Sequence, residues 1–355
     1  MDARALGFLK KLLDAPGPSG FEAAPARLWR EEAKGFAAVT TDVAGHSVAT
    51  LNPKGSPKIM LAGHLDEIGL MVVHIDDEGF VHFAPIGGWD SQVLVGQRVI
   101  LEGRAGPVSG VIGKKAIHLM KTEDRDKVSK ITDLWIDIGA RNKAEASERM
   151  RVGDTGVVAT SVQEFPNSRI VSRSVDNRIG CFVVLEALRR LAQEKTLAAC
   201  VSAVGTTQEE IGHTGGGART TAFSLEPDAA IVVDVTHATD YPGVEKKELG
   251  DFKLGSGPVL SRGSAVTRVV FDQLVAAAEA RKIPYAIEAA PRGTGTDADQ
   301  IHTARRGVAT GLVSVPCRYM HSPNEMVSLE DLDRAAELLA AWVMRLTKDT
   351  SFIPQ

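Results

Sequence analysis

The spacing of apolar positions changes twice along this chain. Leu6, Leu9 and Leu13 recur at helical intervals, and Pro16 ends that helix. Ser19 and Glu22 stand as an S-x-x-E capping box opening a second helix, which Gly35 closes. Residues 37–51 read as a strand pair about Ala44-Gly45. Lys58 to Gly63 is a short buried strand, with His64-Leu65-Asp66 at its end. From about Ile68 the period falls to two. Short runs at 68–75, 80–84, 98–102, 107–112, 134–137 and 156–161 are separated by Asp77-Glu78-Gly79, Gly87-Gly88, Gly103 and Gly153. Helical spacing is nearly absent there, which predicts a small β domain of barrel type ending near Glu164-Phe165-Pro166.

Beyond that point helices and strands alternate. Helices are predicted over 177–193, 217–224, 265–281, 297–305 and 329–346, and strands over 198–207, 229–236, 284–289 and 308–315. The expectation is an α/β domain built from 1–68 and 164–355, interrupted by an inserted β domain at 69–163.

Composition narrows the function classes. A 44% hydrophobic chain with 24% charged residues is globular, and a net charge of −4 argues against nucleic-acid or anionic-membrane partners, which need a basic face. Cys181, Cys200 and Cys317 lie in or beside apolar runs without C-x-x-C spacing, so they read as reduced core residues. Asp2, Arg4, Lys10 and Lys11 among the first leucines describe an amphipathic helix rather than a signal peptide. No apolar run approaches the roughly 18 residues of a membrane span. The expectation is a soluble cytoplasmic protein.

The chemistry gathers where strands stop. Gly205-Thr206-Thr207-Gln208-Glu209-Glu210-Ile211-Gly212 follows the apolar run 198–204, so two adjacent carboxylates stand at a strand end, where open α/β sheets bind ligands. Such carboxylates are costly to bury without a positive partner. His64, Asp66, Asp176, Asp234 and His321 also sit at predicted strand ends or helix starts. Singly, His64 reads as a satisfied core histidine, Asp176 as a helix cap and Asp234 as a strand terminus. Jointly they place many unpaired charges along one sheet edge, and imidazole with carboxylate suits zinc, cobalt or manganese.

The order of motifs carries a resemblance. Pro-x-x-Ser-Gly-Phe-Glu near the start, Gly-His-Leu-Asp-Glu-Ile-Gly at 63–69, Ser-Val-Asp-Asn-Arg at 174–178 and Thr-Gln-Glu-Glu-Ile-Gly at 207–212 come first. Asp-Val-Thr-His-Ala-Thr-Asp at 234–240, Gly-Thr-Asp-Ala at 295–298 and Cys-Arg-Tyr-Met-His-Ser-Pro-x-Glu at 317–325 follow. Over essentially its whole length the chain resembles the dinuclear metallo-aminopeptidases of peptidase family forty-two, the tetrahedral or glutamyl aminopeptidases, some once labelled endoglucanases. The resemblance implies a central mixed sheet flanked by helices, zinc-exopeptidase-like, with an inserted small β-barrel. It implies two divalent metal ions, zinc ahead of cobalt or manganese, bridged by Asp176. One would also take His64 and Asp234, the other Glu210 and His321. Glu209 would be the general base, and Asp66 would stand behind His64. Substrates would be short peptides with a free N-terminus. The inserted domain would mediate dimerisation, and dimers would build a twelve-subunit particle.

Other residues carry open alternatives. His237 and Asp240 line the substrate cleft or bond within a turn; Asp297 caps its helix or reaches the site, the cap being preferred. Arg318 and Tyr319 touch substrate, or Arg318 pairs with a ligand carboxylate. His74, His82, His118, His213 and His302 read as surface or structural. Gly215-Gly216-Gly217 departs from the bulkier or charged residues of relatives and would loosen the first side-chain pocket. A deacylase or carboxypeptidase of the same superfamily is the alternative activity, and an idle scaffold the non-enzymatic one. A glycosidase pair must flank the scissile bond about 5–10 Å apart, and adjacent Glu209 and Glu210, pointing to opposite sides of an extended segment, do not suit that task.

Overall fold

The computed structural model describes residues 1–212 and 217–354. Helices α1 (Ala3–Asp14) and α2 (Ala23–Ala33) precede the hairpin β1 (Ala38–Thr41) and β2 (Ser47–Leu51), then strand β3 (Lys58–His64). The chain next runs through β4 (Gly69–Ile75), β5 (Val81–Ile86), α3 (Ser91–Leu94), β6 (Arg98–Gly103), β7 (Gly106–Gly113), β8 (Trp135–Asp137), α4 (Lys143–Arg149) and β9 (Thr155–Val158). It returns through β10 (Gln163–Phe165), β11 (Arg169–Ser172), α5 (Val175–Leu191), β12 (Cys200–Thr206), α6 (Gly217–Leu225), β13 (Ala229–His237) and α7 (Lys246–Leu249). The remainder is β14 (Val259–Gly263), α8 (Arg268–Arg281), β15 (Ala286–Ala290), α9 (Asp297–His302), β16 (Ala309–Cys317), β17 (Glu325–Ser328) and α10 (Leu329–Met344).

The described residues form an eight-stranded mixed sheet in the order β1-β2-β12-β3-β13-β16-β14-β15. Strands β12, β3, β13 and β16 run parallel, while β2 and β14 join antiparallel. The four parallel strands are apolar and buried almost throughout, as a sheet covered on both faces requires. Helices α5, α8 and α10 pack together on one side, with α1 against α5, and α6 and α9 pack against each other and the sheet. The expected α/β architecture with a central mixed sheet is therefore present.

Strands β4-β5-β8-β7-β6-β9 close a barrel around Leu70, Val72, Phe83, Val99, Leu101 and Ile136, matching the period-two stretch. Its last strand stops at Val158, ahead of the end expected near Glu164. Glu164 instead lies in β10, which pairs with β11 in a three-stranded sheet completed by β17. Strands β14 and β17 went unpredicted because five and four residues, partly polar, carry little periodicity.

Ser19 and Glu22 form no capping box. Helix α2 begins after Glu22 without a side-chain cap, and both residues are buried against the sheet end. Ser19 Oγ donates to Asp66 Oδ2 at 2.6 Å, and Glu22 Oε1 accepts from the Gly20 and Gln208 amides at 2.7 and 3.0 Å.

Candidate metal centre

The parallel strands deliver one polar residue after another to a single edge of the sheet. His64 ends β3 beside Thr206 of β12, Glu209 and Glu210 follow Thr206, and Asp234 lies in β13. His321 comes four residues after β16. Asp176 arrives from the opposite direction, at the start of α5, because that helix packs directly on β3. A Cβ on Gly63 would lie 2.5 Å from Gly180 C and 2.6 Å from Cys181 N, so only glycine permits the approach.

Asp176 does not cap its helix. Its backbone is extended (φ −77, ψ 107), and the Asp176-Asn177 peptide is cis. Asn177 does the local bonding instead: its Oδ1 accepts from Gly180 N at 3.0 Å, and its Nδ2 donates to Val233 O at 2.7 Å. The Asp176 carboxylate is left to face the site.

Its two oxygens meet two different imidazoles. Oδ1 lies 3.2 Å from His64 Nε2, and Oδ2 lies 3.5 Å from His321 Nε2. Around His64 Nε2 also stand Glu209 Oε2 at 3.7 Å and Asp234 Oδ1 at 4.0 Å, while Glu210 Oε2 is 3.3 Å from His321 Nε2. Both rings are oriented from behind. His64 Nδ1 lies 3.2 Å from the Asp66 carbonyl and 3.3 Å from its Oδ1, and His321 Nδ1 lies 2.8 Å from Gly88 O in the barrel segment. Such partners fix the tautomer that presents Nε2. Asp66 Oδ2 also accepts from Glu210 N at 3.0 Å, tying the two strand ends together.

With protein groups alone, the charges do not balance. Burial pushes Glu209 up to about 10, with Asp234, Asp297 and Glu210 adding to it. Burial, then Asp176, raises Glu210 and lifts Asp234 well above the usual carboxylate range. Asp176 goes the other way: burial opposes its charge, but hydrogen bonds with His321 and His64 hold it well below that range. The same bonds from Asp176 and Glu210 carry His321 up to about 11. Burial disfavours charge on His64, yet Asp66 and Asp176 outweigh it and raise the ring. Glu210 Oε1 is buried with no hydrogen-bond partner among the described residues. His64, Asp176 and Glu210 place one donor atom each within 4.8 Å of one another. Oxygen and imidazole donors converging with surplus negative charge fit a divalent cation of zinc, cobalt or manganese type.

A cavity of about 930 Å³ opens onto these residues, its walls including His237, Glu288, Arg292, Asp297 and Met320. His237 is thus at the cleft. Asp297 is buried, and burial moves it up to about 6; it accepts from Thr206 Oγ1 at 2.5 Å, while Thr296 caps α9. The preference for a cap at Asp297 is therefore corrected: Thr296 holds the extended cap position, which turns Asp297 inward. Asp240 and Arg318 are both placed away from the cavity wall, paired at 2.7 and 2.8 Å. Tyr319 packs edge-on against Tyr241. His82 pairs with Asp76 on the barrel, and His213, Gly215 and Gly216 lie outside the described residues. Gly217 faces Thr207 O and His46 rather than the cleft.

Sequence reasoning passed over Glu22, Glu325 and Gly88. Glu325 lies in a quoted motif, and its fixed distance of four residues from His321 was the available signal. Glu22 was absorbed by the capping-box pattern, and a glycine carbonyl leaves no trace in side-chain types.

The M42 glutamyl aminopeptidase family model matches residues 45–338. A lysyl aminopeptidase of Pyrococcus furiosus is 35% identical over 352 residues, covering 98% of each chain. The crystal structure of a TET aminopeptidase from a Thaumarchaeota archaeon superposes with a TM-score of 0.92 at 34% identity, covering 97% of each chain. The TET1 peptidase of Pyrococcus horikoshii superposes with a TM-score of 0.85 at 32% identity, over 96% of this chain and 100% of that one. That peptidase can assemble into a tetrahedron or a large octahedral shell.

Proposed function

The chain belongs to the M42 glutamyl aminopeptidase family, and from that premise we propose that it removes N-terminal residues from short peptides with two divalent cations bound between His64 and His321. The observation that carries the reading is Asp176, whose two oxygens face those imidazoles from opposite sides. One cation would take His64, Asp234 and one Asp176 oxygen; the other would take His321, Glu210 and the second oxygen. Zinc is the first choice, with cobalt or manganese as substitutes.

Bound there, two divalent cations supply Lewis acidity toward a peptide carbonyl and lower the pKa of water. Glu209 accepts the proton of the attacking water and passes it to the leaving amine. Asp66 keeps the His64 ring in the tautomer that presents Nε2, and Gly88 does so for His321. The cavity receives the residue to be released.

Self-association runs through the barrel, giving a dimer and, from dimers, a dodecamer. Exposed apolar side chains there support it: Val111, Ile117, Leu119 and Val128. The shells formed by the Pyrococcus horikoshii relative support it too. No helix among the described residues is long and apolar enough to cross a membrane.

The test is hydrolysis of unblocked aminoacyl-anilides by metal-stripped protein reloaded with zinc, cobalt or manganese, beside Glu209→Gln. Metal-dependent cleavage lost in that variant supports the reading. Protein that holds two metals, is inactive on these substrates and cleaves N-acetylated ones instead would favour the deacylase alternative.

A further inference from the structure

Glu325 is 2% exposed, and both of its carboxylate oxygens bond backbone amides of the metal centre. Oε2 accepts from Asp176 N at 3.0 Å, and Oε1 accepts from His321 N at 2.8 Å. These two residues lie 145 positions apart in the chain, yet one carboxylate spans both. We infer that Glu325 is a positioning residue that sets the separation of Asp176 and His321, and so governs the cation held by His321 and Glu210, two of whose ligands it holds, more strongly than the one held by His64 and Asp234, which it reaches through Asp176 alone. The inference rests on the two-cation reading above.

Three features of the backbone support it. Glu325 opens β17 in register with Ser172 of β11, the strand that leads into Asp176, so the small sheet fixes its distance from that ligand. Residues 318–326 form a loop closed at its neck by reciprocal amide bonds between Arg318 and Met326, both 3.0 Å. Within that loop His321 adopts a left-handed conformation (φ 58), which a residue with a Cβ holds only when its surroundings impose it. The bond from Glu325 to His321 N is such a constraint. His64, by contrast, sits in a regular strand and is oriented by Asp66.

Replacing one oxygen with an amide separates the two jobs. In Glu325→Gln the amide oxygen can accept one N–H, while its NH₂ group opposes the other. Asp176 and His321 can then no longer both be held. Outer partners of metal ligands typically govern affinity by about 10–100-fold.

The experiment is metal titration against a competing chelator, followed by metal content, on wild type, Glu325→Gln, Glu325→Asp, His321→Ala and Val327→Ala. Val327 is buried in β17 opposite Ile170 and touches the same sheet without bonding either amide. The expected result is that both Glu325 variants weaken the second cation by about 10–100-fold and the first by less, approaching the one-metal content of His321→Ala. Val327→Ala should lower Tm while keeping both affinities. Unchanged affinities in both Glu325 variants, or the same selective loss in Val327→Ala, would overturn the inference. A wild-type protein that takes up no cation overturns the two-cation reading itself, and is told apart because it shows before any variant is made.

Discussion

Glu209 and Glu210 are neighbours in sequence that turn to different histidines. Glu209 Oε2 lies 3.7 Å from His64 Nε2, and Glu210 Oε2 lies 3.3 Å from His321 Nε2. The segment can divide its side chains because its backbone is pinned on both flanks: Gln208 N donates to Glu22, and Glu210 N donates to Asp66. The expected outcome is a division of phenotype. Glu209→Gln should lower kcat by about 10²–10⁴-fold with metal content unchanged, as for a lost general base. Glu210→Gln should lose one of two metals. Elemental analysis beside steady-state kinetics reads both, and an E210Q protein holding two metals at wild-type affinity would contradict the division.

Metal binding should expel protons. Without a cation, Glu209 is pushed up to about 10 and His321 up to about 11, so both hold protons at pH 7. Both groups must lose them to accept or face a cation, so loading should release about two protons per subunit from this pair alone, and apparent affinity should rise with pH. Calorimetry in buffers of different ionisation enthalpy gives the number. A buffer-independent heat would refute the assignment.

Asp240 and Arg318 should matter for stability more than for catalysis. Both side chains are mostly buried, and their hydrogen-bonded pair holds Asp240 below the usual carboxylate range although burial opposes it. A carboxylate depressed in the folded state contributes stability above its unfolded pKa of about 3.9, and that contribution disappears as pH falls through the folded value. Arg318→Ala should therefore cost about 1–3 kcal/mol near neutrality and flatten the acid limb of the stability curve. Denaturant titrations at pH 7 and pH 3 check both. A large fall in kcat/KM with unchanged stability would instead return Arg318 to the substrate.

Gly63→Ala should be severe. A methyl group there would press on the backbone of Gly180 and Cys181, forcing α5 away from β3 and Asp176 away from His64. The expected loss is about 2–4 kcal/mol with weaker metal uptake, visible in Tm and metal content together. A variant of wild-type Tm would show that the helix can shift freely.

The parts legible from sequence were those with a periodic or compositional signature. The alternating runs from Ile68 foretold the barrel, and apolar runs ending in His64, Glu209 and Asp234 foretold the sheet edge that gathers them. What escaped depended on contacts between distant segments. Ser19 and Glu22 satisfy a local capping pattern, yet Asp66 and Gln208 compete for the same side chains and win. Asp297 sits where a cap would, but the adjacent Thr296 takes that position. Glu325 reveals its partners only once β17 is laid beside β11, and Gly88 acts through a carbonyl that every residue possesses.

The closeness of Gly63 to α5 has a counterpart in time. The proposed ligands stand at positions 64, 176, 210, 234 and 321 of 355, and His321 follows β16, which must first lie against β13. On the ribosome, His64 is made early and waits while the barrel and most of the sheet are translated. A nascent chain therefore carries no complete set of these ligands until position 321 has been made and β16 can lie against β13.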